Sequence, residues 1–163
     1  MKRIAQILII LLVSNSFAQK SVSELLDKFN SHSIPYISVQ ELAMPKTKAI
    51  ILDTREEKEY EVSRIKNAWF VGHENFKIET ILDQIKDKNE QIVVYCSLGI
   101  RSEDIAEKIK KAGYSNVYNL HGGIFEWKNN NYPLYSSDMK QTDDVHVFSK
   151  EWSQWLKKGN KVY

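Results

Sequence analysis

The chain has 163 residues, a formal net charge of +2, 42% hydrophobic and 27% charged residues, which is the composition of one ordinary globular domain with a short appendage. Its single cysteine excludes an intramolecular disulfide and a Cys-x-x-Cys redox pair. His32, His73, His121 and His146 are scattered around that one thiol, which argues against zinc.

The first eighteen residues read as a targeting segment. Lys2-Arg3 forms a basic start, Ile4 to Val13 is apolar apart from Gln6, and Ser16-Phe17-Ala18 places small residues where a signal peptidase reads. An apolar run of about ten residues is half of what a bilayer span requires. The expectation is a secretory signal cleaved after Ala18, with an uncleaved anchor as the alternative. The protein is then exported, periplasmic if bacterial, with no stable membrane insertion once the signal is removed. Cleavage takes Lys2 and Arg3 from the 23 basic residues and none of the 21 acidic ones. The mature chain is charge-balanced, and no basic excess remains to attract nucleic acid or anionic lipid.

Residues 19–34 form a lead-in. Ser21-Val22-Ser23-Glu24 has capping-box spacing ahead of Leu25, Leu26 and Phe29, which predicts a short amphipathic helix. Ile34 to Val39 reads as a brief edge strand beside Pro35, and Ser38-Val39-Gln40-Glu41 starts another short helix. Ala49 to Leu52, ending at Asp53, is the apolar run of a central parallel strand. Glu56 to Val62 is a polar helix with Tyr60 as its buried contact, and Ala68 to Val71 is a strand. Ile78, Ile81, Leu82 and Ile85 fall at i, i+3, i+4, i+7 on one helix face. Ile92 to Tyr95 is a strand; Ile105, Ala106 and Ile109 mark a helix closed by Gly113; Val117 to Leu120 is the last strand before a helix bearing Phe125 and Trp127.

This alternation predicts an open α/β fold over residues 35–134, with a mostly parallel central sheet and helices on both faces. Residues 135–163 read as a polar connector from Ser136 to Asp144 and then a C-terminal helical extension. In it Phe148, Trp152, Trp155 and Leu156 share one face, suited to docking on the domain, to a protein partner at Trp152 and Trp155, or to a lid near the loop that follows Tyr95.

In such sheets ligands gather beyond the carboxyl ends of strands, and Cys96 stands at one. The run Cys96-Ser97-Leu98-Gly99-Ile100-Arg101-Ser102 is a strand end, a glycine-containing loop and a helix start. Converging backbone N–H groups and the helix dipole favour negative charge there, and the thiolate is the nucleophilic form. The structural alternative is an inert core cysteine, against which Gly99 and Arg101 argue.

The chain resembles the rhodanese-like sulfurtransferases on several segments in order. These are Leu52-Asp53-Thr54-Arg55 followed by Glu59-Tyr60, then Ile65-Lys66-Asn67-Ala68, Cys96-x-x-Gly99-x-Arg101-Ser102, and Leu120-x-Gly122-Gly123 with Trp127 and Pro133. It departs from the pattern at Ser63-Arg64, where Gly-His is common, and at Asn67, where glycine is usual. Asparagine tolerates the left-handed backbone such a turn needs.

The resemblance implies sulfane-sulfur transfer from a small donor such as thiosulfate, through a persulfide on Cys96, to a thiol or cyanide, with no cofactor beyond that covalent intermediate. Ser97, Leu98, Gly99, Ile100, Arg101 and Ser102 would surround the sulfur, their amides forming a nest for the anion. Arg101 would clamp the oxyanion of the donor, and Ser102 would cap the helix. Asp53 and Arg55 would brace the loop. Three other readings stay open: a binding module, a thiol that senses oxidants, and a phosphatase or arsenate reductase. The last holds cysteine and arginine with five residues between them. Here four intervene, and position 102 is serine.

Overall fold

The computed structural model describes residues 21–163; the expected signal segment lies outside the described residues. Five parallel strands form the sheet: β1 (Tyr36–Ile37), β2 (Ile50–Asp53), β3 (Trp69–Phe70), β4 (Ile92–Tyr95) and β5 (Val117–Leu120). Their spatial order is β1-β5-β4-β2-β3. β4 is central because all four of its residues are apolar and all are buried.

Side chains alternate across β4 and divide the core in two. Ile92 and Val94 join Ile81 and Ile85, from α4 (Ile78–Gln84) and its C-terminal cap, and Ile105, Ala106 and Ile109 of α5 (Arg101–Lys111). Val93 and Tyr95 join Val39 and Leu42 of α2 (Val39–Leu42) and Ile124 and Phe125 of α6 (Gly123–Asn129). Helices therefore cover both faces, as the sequence pattern requires.

Local signals act where they were read. Ser21 and Glu24 form both halves of a capping box on α1 (Val22–Phe29), and the Ser38 hydroxyl accepts the Glu41 N–H at the start of α2. Asn67 adopts φ 62°, the left-handed turn its side chain tolerates. Arg64 exchanges backbone hydrogen bonds with Tyr135 and lays its guanidinium over the Tyr60 ring at 4.3 Å.

Two expectations are corrected. In α3 (Glu57–Val62) the fully buried side chain is Glu59, whereas Tyr60 is half-buried against Phe70. The tail also differs from a connector plus amphipathic helix. β6 (Leu134–Tyr135) and β7 (Gln141–Thr142) make a hairpin, and β8 (Asp144–His146) pairs in parallel with β9 (Asn160–Val162). Only a single 3-10 turn, Trp152–Trp155, is helical.

Phe148 explains the difference. Its φ is 63° and its N–H goes to His146 Nδ1 at 3.1 Å, while Ser149 N–H returns to the Val147 carbonyl. A left-handed residue held in this way prevents a right-handed helix from starting at 148. The apolar spacing instead reflects an irregular strap whose Val145, Val147 and Leu156 enter the core, with Trp152 and Trp155 half-buried against it.

Candidate active site

The Cys96 loop is built by three neighbours that fix its backbone from outside. The N-terminus of α6 docks directly on it: Ile124 N–H donates to the Cys96 carbonyl at 2.9 Å and Phe125 N–H to the Ser97 carbonyl at 3.2 Å. Gly123 makes this approach possible, because a Cβ there would lie 2.3 Å from the Cys96 oxygen. The carbonyl of Gly99 takes two amide donors at 2.8 Å, from Asn30 Nδ2 and from Asn119 Nδ2. With its carbonyls held outward, the loop turns the Gly99 N–H onto Cys96 Sγ at 3.1 Å.

Gly99 itself has φ 108°, and a Cβ would crowd the Leu120 carbonyl at 3.2 Å and meet Leu26 of α1 at 3.5 Å. α1 therefore lies on the loop. Cys96 has 0% of its surface exposed.

The expected ring of substrate-binding side chains is arranged differently. Leu98 is a core residue, and Ile100 precedes the helix as its cap. The Ser97 hydroxyl donates to Glu59 Oε1 at 3.1 Å. Arg101 is the first residue of α5, so Ser102 falls inside the first turn and is not the cap. The Ser102 hydroxyl donates to Asn119 Oδ1 at 2.7 Å and lies 3.6 Å from Sγ.

Arg101 does not present a free cation. It forms a two-pronged pair with Glu59, at 2.7 Å and 2.8 Å, and its guanidinium sits 4.5 Å from the Phe148 ring centre. Burial alone would push the Glu59 carboxyl up; the hydrogen bonds and charge of Arg101, aided by Arg55, outweigh it and hold the carboxyl below its usual range. Burial lowers and the Glu59 hydrogen bonds raise the Arg101 value, which ends above the ordinary arginine value.

Asp53 and Arg55 form the brace beneath the loop, both with no exposed surface. Arg55 binds Asp53 at 2.7 Å and the Ser63 carbonyl at 2.6 Å. Tyr95 donates its hydroxyl to Asp53 at 2.5 Å and accepts the Ile65 N–H at 3.3 Å. The pair never reaches the sulfur; it ties β2, α3 and β4 together.

Glu59, Asn119, Asn30 and Phe148 thus shape the site, although the sequence marks Glu59 only as half of the Glu59-Tyr60 pair and Phe148 only as part of the tail's apolar face. Asn119 left a signal, a polar residue on the inward face of an otherwise apolar strand. For Phe148 the apolar spacing showed only a face to be covered, because its position over Arg101 depends on a left-handed turn.

The rhodanese-like domain profile matches residues 38–130, more than half of the chain, and the protein belongs to that family. Among curated relatives, the tRNA uridine(34) hydroxylase of Erwinia tasmaniensis is 37% identical over 82 residues, 48% of this chain and 23% of that protein. That of Hamiltonella defensa is 34% identical over 107 residues, 62% of this chain and 30% of the relative. The chain spans less than a third of the length of either.

Among solved structures, thiosulfate sulfurtransferase from Pseudomonas aeruginosa superposes with a TM-score of 0.58 at 20% identity, covering 76% of this chain and 23% of that one. A Bacillus halodurans protein gives 0.57 at 19% identity, covering 72% and 88%. At these identities the likeness is one of fold.

Proposed function

We propose that this protein is an exported sulfurtransferase that carries sulfane sulfur as a persulfide on Cys96 and delivers it to a thiol or to cyanide. The supporting observation is the placement of Cys96 at the end of β4, in a loop whose outward carbonyls are anchored by α6 and whose Gly99 N–H meets Sγ. An amide aimed at sulfur stabilises negative charge there, which suits both an attacking thiolate and a persulfide anion. The thiolate attacks the outer sulfur of the donor, the donor's bond to that sulfur breaks, and the electron pair leaves with the remainder. An acceptor nucleophile then takes the sulfur and regenerates Cys96. Because Cys96 has no exposed surface, turnover requires a local opening where α1 meets the loop.

The spacing of Cys96 and Arg101, with four residues between them, and the engagement of Arg101 by Glu59 both disfavour a phosphate-holding site. A tRNA role, suggested by the names of the relatives, draws no support from the net charge, which is zero once residues 1–18 are set aside. Export rests on the leading residues 1–18. The reading is tested by thiocyanate formation from a sulfane donor and cyanide. Wild-type protein forms it and Cys96→Ser does not; activity retained without the sulfur overturns the proposal.

A further inference from the structure

Phe148 stands in a left-handed turn that a bulky residue rarely adopts, and one side-chain acceptor holds it there. Its N–H donates to His146 Nδ1, two residues back, while the intervening Val147 is buried and gives its N–H to the Val162 carbonyl of β9 at 2.9 Å. A ring nitrogen accepts only when it carries no proton, so this bond specifies His146 with Nδ1 bare. The turn sets the Phe148 ring on the Arg101 guanidinium, with Trp152 edge-on to the same ring at 5.7 Å.

Arg101 carries the effect to the sulfur. Its guanidinium holds Glu59 with two prongs and donates to the hydroxyl of Ser97, the residue after Cys96, at 3.1 Å. Burial pulls the Arg101 value down; the Glu59 hydrogen bonds, and then the charge of the Cys96 thiolate, push it above the ordinary arginine value. The last effect is mutual, because a cation favoured by a thiolate favours that thiolate in return.

His146 is only 4% exposed, and charged groups surround it. Lys58 and Glu59 come from α3, which packs on β8; Arg55 comes from the segment before α3, and Arg101 from α5. Across the pairing with β9, Val162 stands opposite His146 and Lys161 opposite Val145, and Asp144 lies on the same strand as His146. Burial pulls the His146 value below the ordinary 6.5; the charge of Glu59 works against this, and Lys58, Arg55 and Arg101 add to it.

We infer that His146 and Phe148 are positioning residues for Arg101, and that the strap makes this positioning depend on an unprotonated His146. The inference rests on the sulfurtransferase reading and adds a control to it. With Nδ1 bare, the turn is closed and the Phe148 ring confines Arg101 to the place from which it bridges Glu59 and Ser97. A proton taken from solvent onto Nδ1 turns the acceptor into a donor, leaves the Phe148 N–H without its partner, and lets the turn and its ring move away. Arg101 then loses an aromatic face that favours its charge at this place, and the Cys96 thiolate loses part of the field that stabilises it.

Two measurements on the full-length protein test this. Exchange of the Phe148 amide hydrogen, corrected for its intrinsic pH dependence, reads the turn directly. Its protection is expected to fall about fivefold or more between about pH 8 and about pH 5. His146→Asn, whose amide oxygen can accept near the Nδ1 position and does not titrate, should restore the protection without the acid step; His146→Ala should show the low value at both pH values. The second measurement is sulfur loading of Cys96 by the hydropersulfide of 2-mercaptoethanol at about pH 8, followed by intact mass. His146→Ala and Phe148→Ala should both load about fivefold more slowly than wild-type protein, with His146→Asn close to it. Wild-type amide protection that does not change with pH overturns the inference even if every variant fails to fold, and so do equal loading rates for wild-type protein and both alanine variants. A wild-type protein that takes up no sulfur overturns the sulfurtransferase reading instead, while the exchange measurement still reads the His146 latch.

Discussion

Gly123→Ala places a methyl group where the structure has a backbone. Its Cβ would lie 2.3 Å from the Cys96 oxygen, 2.7 Å from the Ser97 carbonyl carbon and 2.8 Å from the Leu98 nitrogen, at φ 55°. None of these atoms is the end of a flexible side chain, so the loop or the start of α6 must move by about an ångström to reach ordinary contact. The left-handed backbone costs about 1–2 kcal/mol for any residue with a Cβ, and the overlap about 1–3 more, so a loss of about 2–5 kcal/mol is expected. A displacement of that size at a nucleophile lowers transfer by about a hundredfold. Gly113→Ala is the control: φ there is 97° and a Cβ meets nothing within 4 Å, so only the backbone cost applies. Urea unfolding and sulfur-transfer rates on both variants provide the comparison. Equal stability and equal rates for the two would refute the claim that the second glycine exists to let α6 dock on the Cys96 carbonyl.

Three further outcomes follow from the same geometry. Tyr95→Phe removes the hydroxyl that joins Asp53 to the Ile65 N–H, and should cost about 1–3 kcal/mol by urea unfolding; an unchanged midpoint would contradict the brace. The Glu59 carboxyl is held below its ordinary 4.5, so its stabilising contribution is complete above about that pH and is lost as the pH falls through the lowered folded value. The stability difference between wild-type protein and Glu59→Gln should therefore shrink on acidification below 4.5, and a constant difference would contradict the pairing. Asn30→Ala removes one of the two donors on the Gly99 carbonyl where α1 meets the loop. Loss of about 1 kcal/mol there should speed alkylation of Cys96 by iodoacetamide about fivefold, and no change would place the opening elsewhere.

Much of the fold was legible because its signals are local and redundant. Ile92 to Tyr95 could only be a strand buried on both faces, and the Ser21 and Glu24 spacing specified a helix start that forms both hydrogen bonds. Asn67 kept the turn that glycine would usually make. The tail departs from its sequence pattern because four apolar residues at helical spacing also describe a strap that packs irregularly, and one left-handed residue, Phe148, decides between the two. At the site, position was readable and pairing was not. Cys96, Gly99 and Arg101 stand where the loop pattern put them, yet Arg101 faces Glu59, forty-two positions away in sequence. A sequence shows a charge, but whether that charge is free depends on what the fold brings to it. At Ser102 the helix starts two residues earlier than a cap there would require, enough to turn a cap into a side chain aimed at Asn119 and the sulfur.

The central claim is that Cys96 holds transferable sulfur, and intact-mass analysis of the protein after exposure to a hydropersulfide donor tests it most directly. The account predicts a gain of one sulfur atom that maps to Cys96, is absent from Cys96→Ser, and disappears when a thiol or cyanide acceptor is added. A protein that gains no sulfur, or that gains oxygen in its place, would contradict it.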